Sequence, residues 1–392
     1  MKKIWIVMAV ILLLSGCATQ KDKTFTDDYS ATATSGVWLT YSEINDMLLS
    51  ENGFKNEFSV VLRNVKEMKI QNLYVHARPF CDSLYASQYF PLIEAASGYD
   101  FDIFGYIIEQ CHKENIKVHA WINPYRVSTA SSDIETLDNN SPAYKWLKDS
   151  DSENDRNVCI SNGIYLNPAE AQVRALVING IKEILNKYSV DGIHFDDYFY
   201  PTTDTAFDEI SYNAYKEGKD NPLNLEDWRR CNVNLLISGC YNAIKRIDEN
   251  IVFSVSPTAS IEQNYNKLYA DVKEWINGGY IDYVIPQLYF GFEYPEDEFK
   301  FENLLNEWKN ATKGSKVGLL IGLANYKSLP QLEADKREWE NNYDIIARQV
   351  KICKDDSKVQ GYVYFSYSSL FGQEEEYAKQ RENILKLESQ NG

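Results

Sequence analysis

Positive charge is scarce in this chain. Only 40 Lys and Arg stand against 57 Asp and Glu, a formal net charge of −17 over 392 residues. A surface of that sign repels phosphate backbones and anionic headgroups, which argues against nucleic-acid binding and against electrostatic adhesion to lipid. Cysteine is sparse as well, with 7 in all, and shows no CxxC pair and no zinc-ligand spacing. The signatures of several enzyme classes are missing: there is no HExxH, no P-loop, no Gly-x-Ser-x-Gly elbow and no GxGxxG after the first predicted strand. Residues 4–14 form an apolar run of eleven, too short to cross a bilayer by itself.

That run has another use. Lys2 and Lys3 precede it and Leu14-Ser15-Gly16-Cys17 follows at once. Basic start, apolar core, small residues and Cys, in that order, resemble a bacterial lipobox. Residues 1–16 are therefore expected to be a lipoprotein signal peptide, with Cys17 the lipidated first residue of the mature protein. Loss of Lys2 and Lys3 takes the mature charge to −19. The lipid would tether the protein to a membrane on its extracytoplasmic side. Residues 17–35, rich in Thr, Lys, Asp and Ser, read as the flexible tether, and 36–392 as one catalytic domain. The other six cysteines are expected to be free buried thiols. Cys231 and Cys240 lie nine apart in a helical pattern, near opposite faces, and are poorly placed to bond each other.

What the sequence has is regular alternation. Eight short β-branched or aromatic runs cover residues 36–41, 72–78, 117–123, 192–197, 252–256, 283–289, 317–324 and 361–367. Amphipathic helical stretches separate them, and a last one covers 374–387. Eight strand–helix units predict parallel strands joined by crossover helices and closed into a (β/α)₈ barrel, with a doubly wound open sheet as the alternative. No second domain and no internal repeat beyond these units is evident, and a monomer is expected. The period of two assigns faces, because helices cover the outside of a barrel and require the apolar parity outward. On that basis Arg78, Asn123, Asp196, Ser256, Gln287, Tyr289 and Ser366 end their strands pointing inward, at the carboxyl end where barrel enzymes work. The connections after the third and fourth strands, 124–168 and 198–222, are the long ones, and loops of that length in a compact domain usually carry function.

The site is expected around Val190-Asp191-Gly192-Ile193-His194-Phe195-Asp196-Asp197-Tyr198-Phe199-Tyr200-Pro201. A strand that ends in two carboxylates and three aromatic rings is costly as core. It suits sugar cleavage, which needs an acid–base pair and flat apolar faces for pyranose rings. Two adjacent acids in one site raise a pKa between them, which is how an acid is made. Asp196 is assigned as nucleophile or base, with Asp197 or Glu293 as acid. Glu293 follows the sixth strand among rings; Asp82 and Glu43 are further carboxyl candidates. Arg78, Asp82, Asn123, Tyr125, Arg126, Tyr198, Gln287, Tyr289 and Phe292 are assigned to substrate binding. His76, His119 and His194 share the inward parity. They could hold a zinc, but they lie deep below the strand ends and read as a hydrogen-bonded polar layer, so no metal or cofactor is assigned.

The motifs Gly36-Val37-Trp38-Leu39-Thr40, His76-Ala77-Arg78-Pro79-Phe80 and His119-Ala120-Trp121-Ile122-Asn123-Pro124-Tyr125-Arg126 are similar to those of the bacterial glycosyl-hydrolase-like family 10 lipoproteins. So are Tyr165-Leu166-Asn167-Pro168, residues 191–201, Pro286-Gln287-Leu288-Tyr289 and Gly361-Tyr362-Val363-Tyr364-Phe365-Ser366-Tyr367. The resemblance spans roughly residues 36–370. It implies a TIM-type barrel that hydrolyses O-glycosidic bonds, with cell-envelope glycans as substrate class. One branch is associated with peptidoglycan strands stripped of their peptides. The run 191–198 also partly resembles the chitinase signature, but Tyr198 stands where that signature has its acidic Glu. Two rival functions stay open: a glycan-binding lipoprotein on a catalytically inactive barrel, and a metal-dependent deacetylase using the inward histidines.

Overall fold

The computed structural model describes residues 33–390. The expected signal peptide, the lipobox Cys17 and most of the tether lie outside them. Thr34 and Ser35, expected in the tether, instead open the first strand.

Eight parallel strands close into a barrel: Thr34–Leu39, Asn72–Arg78, Lys117–Ile122, Gly192–Phe195, Val252–Val255, Tyr283–Val284, Gly318–Ala324 and Gly361–Phe365. Each pairs with its neighbours in sequence, and the first pairs with the last through Thr34↔Gly361 to Val37↔Tyr364. The open-sheet alternative is thereby set aside. The sixth strand is the shortest. Pro286 has no N–H to give the ladder, and pairing resumes at Gln287, which bridges Thr258 on one side and Gly322 on the other.

Two apolar layers follow from the alternation. The outer one, between strands and helices, takes Val37, Leu73, Val75, Val118, Ala120, Ile193 and Phe195 from the strands. The inner one fills the barrel with Trp38, Tyr74, Trp121, Ile285, Leu320 and Val363. Helices form where the apolar period becomes 3.6. Glu51–Glu67 buries Phe54, Phe58, Val61 and Val65 and starts at Ser50, whose side chain accepts from the Gly53 N–H. Leu225–Ile247 is capped by Asn224 and carries Glu226 and Asp227 in its first turn and Lys245 and Arg246 in its last, each sign at the favourable end of the helix dipole. No helix among the described residues is long and apolar enough to cross a membrane.

The connections after strands are built rather than irregular. Residues 124–168 contain a small antiparallel sheet of Arg126–Ser128, Val158–Ser161 and Gly163–Leu166, with the helix Pro142–Lys148 between. The connection after the fourth strand is pinned by a buried ion pair. Asp208 accepts from Arg229 Nε at 3.0 and 3.1 Å, and the guanidinium also donates to Asp204 O at 2.7 Å and Tyr269 Oη at 3.1 Å. All six cysteines after Cys17 are free, as expected; five are buried and Cys231 is exposed.

Candidate active site

The fourth strand delivers Asp196 to the carboxyl end of the barrel. Below it His194 is fully engaged: Nε2 accepts from Trp38 Nε1 at 3.0 Å, so Nδ1 carries the proton that faces Ser254 Oγ at 2.8 Å. His119 stacks on Tyr74, with ring centroids 4.5 Å apart, and its Nε2 faces Asn72 Oδ1. His76 stacks on Trp121. Both His194 nitrogens are thus committed and His119 bonds through one, whereas the His76 nitrogens have no hydrogen-bond partner and its ring is held by ring contacts, so the layer is hydrogen-bonded only in part.

Above this layer opens a cavity of about 200 Å³, lined by Trp38, Thr40, Tyr41, His76, Trp121, Arg126, Asp196, Asp197, Tyr198, Ser256, Gln287, Tyr289 and Phe365. Asp196 is 4% exposed and accepts from Trp121 Nε1 and from the Tyr198 N–H, each at 3.2 Å. Asp197 accepts from Gln287 Nε2 at 3.1 Å, and the same amide nitrogen donates to Ser256 O at 3.1 Å. Burial pushes the Asp196 carboxyl well above the usual carboxylate range, and the neighbouring Asp197 charge adds to the rise. Burial raises Asp197 too, opposed first by the Gln287 hydrogen bond. Both acids cannot ionise cheaply together, and the pair retains a proton above the normal range.

The one cation in the lining is Arg126, held between the Phe80 ring at 4.8 Å and the Tyr198 ring at 4.1 Å. Its charge lowers both aspartates, though less than burial raises them. Its Nε has no hydrogen-bond partner. The cavity therefore offers a proton on an acid, a neighbouring carboxylate, one cation, and aromatic walls on several sides. Tyr198, 47% exposed, stands at its edge.

Among the residues assigned from sequence, the structure brings together Asp196, Asp197, Arg126, Tyr198, Gln287 and Tyr289. The others do not line this cavity, and their placements correct the expectation. Arg78 sits at a register shift after His76 and pairs with Ile122, which faces outward. Its guanidinium packs 3.6 Å over Phe90 and against Gly180 on the helix Ala171–Lys187, outside the barrel. Tyr125 follows the end of the third strand and turns into the outer apolar layer. Glu293 is exposed, and its backbone N–H donates to Glu338 Oε2 at 2.9 Å. Phe292 packs on Phe301 and under Arg348. Neither Glu293 nor Phe292 lines the cavity. Asn123 is buried just beneath the mouth, where its Nδ2 donates to Pro79 O. Asp82 lines a neighbouring cavity instead. Glu43 is occupied by the Thr40 and Ser368 N–H groups and by Ser366 Oγ. The eighth strand presents Phe365, not Ser366, to the interior. Trp38, Thr40, Tyr41, His76, Trp121, Ser256 and Phe365 were not assigned to the site, although inward parity on the first, second, third and fifth strands pointed to several of them.

An eight-stranded parallel barrel with paired acids at the carboxyl end of a strand and rings around them is the architecture on which barrel glycoside hydrolases are built. Comparison with known proteins narrows this class. The Glycosyl hydrolase-like 10 profile matches residues 34–341, and the chain belongs to that family. It is 31% identical over 348 residues to glycosyl hydrolase YngK of Bacillus subtilis, covering 82% of this chain and 65% of that protein. It is 27% identical over 373 residues to glycosyl hydrolase DigH of Escherichia coli, covering 82% of each. The fold is similar to the PgaB (BpsB) glycoside hydrolase domain from Bordetella bronchiseptica, with TM-score 0.60, 13% identity, and 90% of this chain and 99% of that one covered. It is also similar to a GH18 chitinase from Cycas revoluta, with TM-score 0.51, 11% identity, and 91% and 99% covered. At these identities the structural likeness is one of fold.

Proposed function

We propose that the protein is a glycoside hydrolase that cleaves O-glycosidic bonds of a polysaccharide, with Asp196 and Asp197 as its reacting carboxyl groups. The observation that carries this reading is the buried, adjacent acid pair in an aromatic-lined cavity at the carboxyl end of the fourth strand. Asp196, the more strongly raised, holds the proton and gives it to the glycosidic oxygen as the bond to the anomeric carbon breaks. Asp197, oriented by Gln287, stays ionised and faces the positive charge that develops on the sugar; a water supplies the hydroxyl of the new reducing end and gives its other proton to Asp196, restoring the acid. This reverses the roles that strand position alone suggested. Trp121, Tyr198, Tyr289 and Phe365 offer faces to pyranose rings, and Arg126 offers its unpaired Nε–H to a hydroxyl.

The motif resemblance, through the branch associated with peptide-free peptidoglycan strands, supports such strands as the substrate. The lipobox at Cys17 supports a mature protein anchored by lipid on the extracytoplasmic side of a bacterial membrane. Incubation of the soluble domain with peptide-free and intact cell-wall strands, followed by mass spectrometry, tests the activity; Asp196→Asn should fold and yield no products. One observation favours a second reading. Asp196 and Asp197 are neighbours, and the cavity lining holds no third carboxylate across from them. A non-catalytic glycan-binding lipoprotein would show affinity for these strands with no turnover.

A further inference from the structure

Beside the catalytic cavity lies a larger one, of about 540 Å³. The two share a wall. Phe80 lines the larger cavity, and its ring meets that of Tyr41, in the smaller, at a centroid distance of 5.3 Å. Arg126 faces the smaller cavity and the next residue, Val127, the larger. The larger cavity is lined by three carboxylates, Asp82, Glu94 and Asp138, and by no Lys, Arg or His. Asp82 is the inner one. Its Oδ1 accepts from the Phe80 N–H at 3.0 Å, and none of the ion pairs among the described residues includes it. Burial raises its carboxyl to about 6, against a weaker lowering from the Phe80 N–H first, then from Arg78 and Arg126. A second group there is incomplete: Ser141, 3% exposed, has only the weakly bonding Cys81 thiol beside it, with no nitrogen or oxygen partner for its Oγ.

We propose that this cavity is a further sugar subsite that selects a hexosamine with a free amine, pairing its ammonium with Asp82 and setting Glu94 and Asp138 around it. The inference rests on the glycan-hydrolase reading above. An ammonium supplies the positive charge that three carboxylates in one cavity lack, and it restores full ionisation to the partly desolvated Asp82. An acetamido group brings no charge and leaves that desolvation uncompensated. The Ser128, Thr136 and Ser141 hydroxyls suit the remaining sugar hydroxyls. The closeness of the aromatic cavity, one ring contact away across Phe80 and Tyr41, favours another unit of the same glycan over a separate peptide amine.

The test uses peptide-free peptidoglycan strands and the same strands with part of their N-acetyl groups removed chemically. The de-N-acetylated strands should be cut with a higher kcat/KM, by about tenfold, the size of one charge-assisted contact. The ratio should fall to near one in Asp82→Asn. It should shrink in Asp138→Asn and Glu94→Gln, which are exposed positions that carry the test if the Asp82 variant fails to fold. Equal rates on the two substrates, or an undiminished preference in all three variants, overturns the inference. If neither strand is cut, the hydrolase reading fails separately, and the subsite is tested by calorimetry with glucosamine and N-acetylglucosamine oligomers. Tighter binding of the glucosamine oligomer, lost in Asp82→Asn, supports it; equal affinity, or no binding of either, overturns it.

Discussion

His76 and Trp121 stack face to face, with ring centroids 3.7 Å apart and planes 6° apart, in the wall of the cavity that holds Asp196 and Asp197. The stack aims the indole N–H at Asp196 Oδ2, 3.2 Å away. Burial lowers the His76 pKa well below its normal value, with the Arg126 charge adding to the effect, so the imidazole is neutral beside the acid pair. Asp196 thus faces a neutral ring and uncharged donors, and its proton survives because burial outweighs them.

Trp121→Phe keeps an aromatic stacking surface and removes the donor. The lost hydrogen bond favoured the ionised form of Asp196. The variant's acid should therefore hold its proton to higher pH. The alkaline limb of the kcat–pH profile should move upward, with kcat reduced by roughly tenfold or more for the displaced acid. An unmoved limb would show that Asp196 does not set it.

Asp196→Asn should lose hydrolysis and gain stability. A carboxyl whose folded pKa is raised binds more protons folded than unfolded. Its contribution to stability is full below its normal pKa and is lost as pH rises through the raised value. At neutral pH the wild type carries that loss and the variant does not. The variant should be more stable near pH 7, and by a smaller margin near pH 4. Denaturant unfolding at the two pH values checks this; a variant less stable at pH 7 contradicts it.

The two arginines assigned from sequence should behave oppositely. Arg126→Met removes the cation beside the acid pair and should cut kcat/KM by about tenfold or more, consistent with loss of a charge-assisted contact. Arg78→Met leaves the cavity untouched and removes a buried guanidinium whose Nε and Nη1 have no partners, so activity should persist in the folded fraction. Steady-state kinetics on both variants decide; equal loss in the two would return Arg78 to the site.

Arg229→Met should destabilise the protein by about 3–5 kcal/mol, because it strands Asp208 as a buried unpaired charge. The connection that follows Tyr198 should loosen first. Hydrogen exchange across residues 198–222 would register this, and protection unchanged from the wild type would rule out the pinning role.

Much of the fold was legible because a barrel repeats one unit eight times, and period two on the strands sorts inner from outer faces without tertiary information. The parity of Trp121, His194, Asp196 and Gln287 held for that reason. Arg78 did not hold, because an irregularity between His76 and Arg78 shifts the register, and no residue type announces it. Tyr125, just past its strand, obeys no alternation. Glu293 and Phe292 belong to a loop whose path is set by Glu338 and Arg348, far along the chain. The small sheet within 124–168 was unreadable because strands of three or four residues are too short to show a period.

The barrel closes where its first strand meets its last, and there Trp38 and Phe365 face each other with ring centroids 5.9 Å apart. The ribosome releases the first of these rings at the start of the domain and the second near its end. Until the eighth strand emerges, two strand edges lie open and the acid pair lacks one wall. A chain terminated early therefore gives no partly working cavity. It gives an edge-exposed polypeptide that invites proteolysis, so that the finished cavity arrives all at once with the last strand.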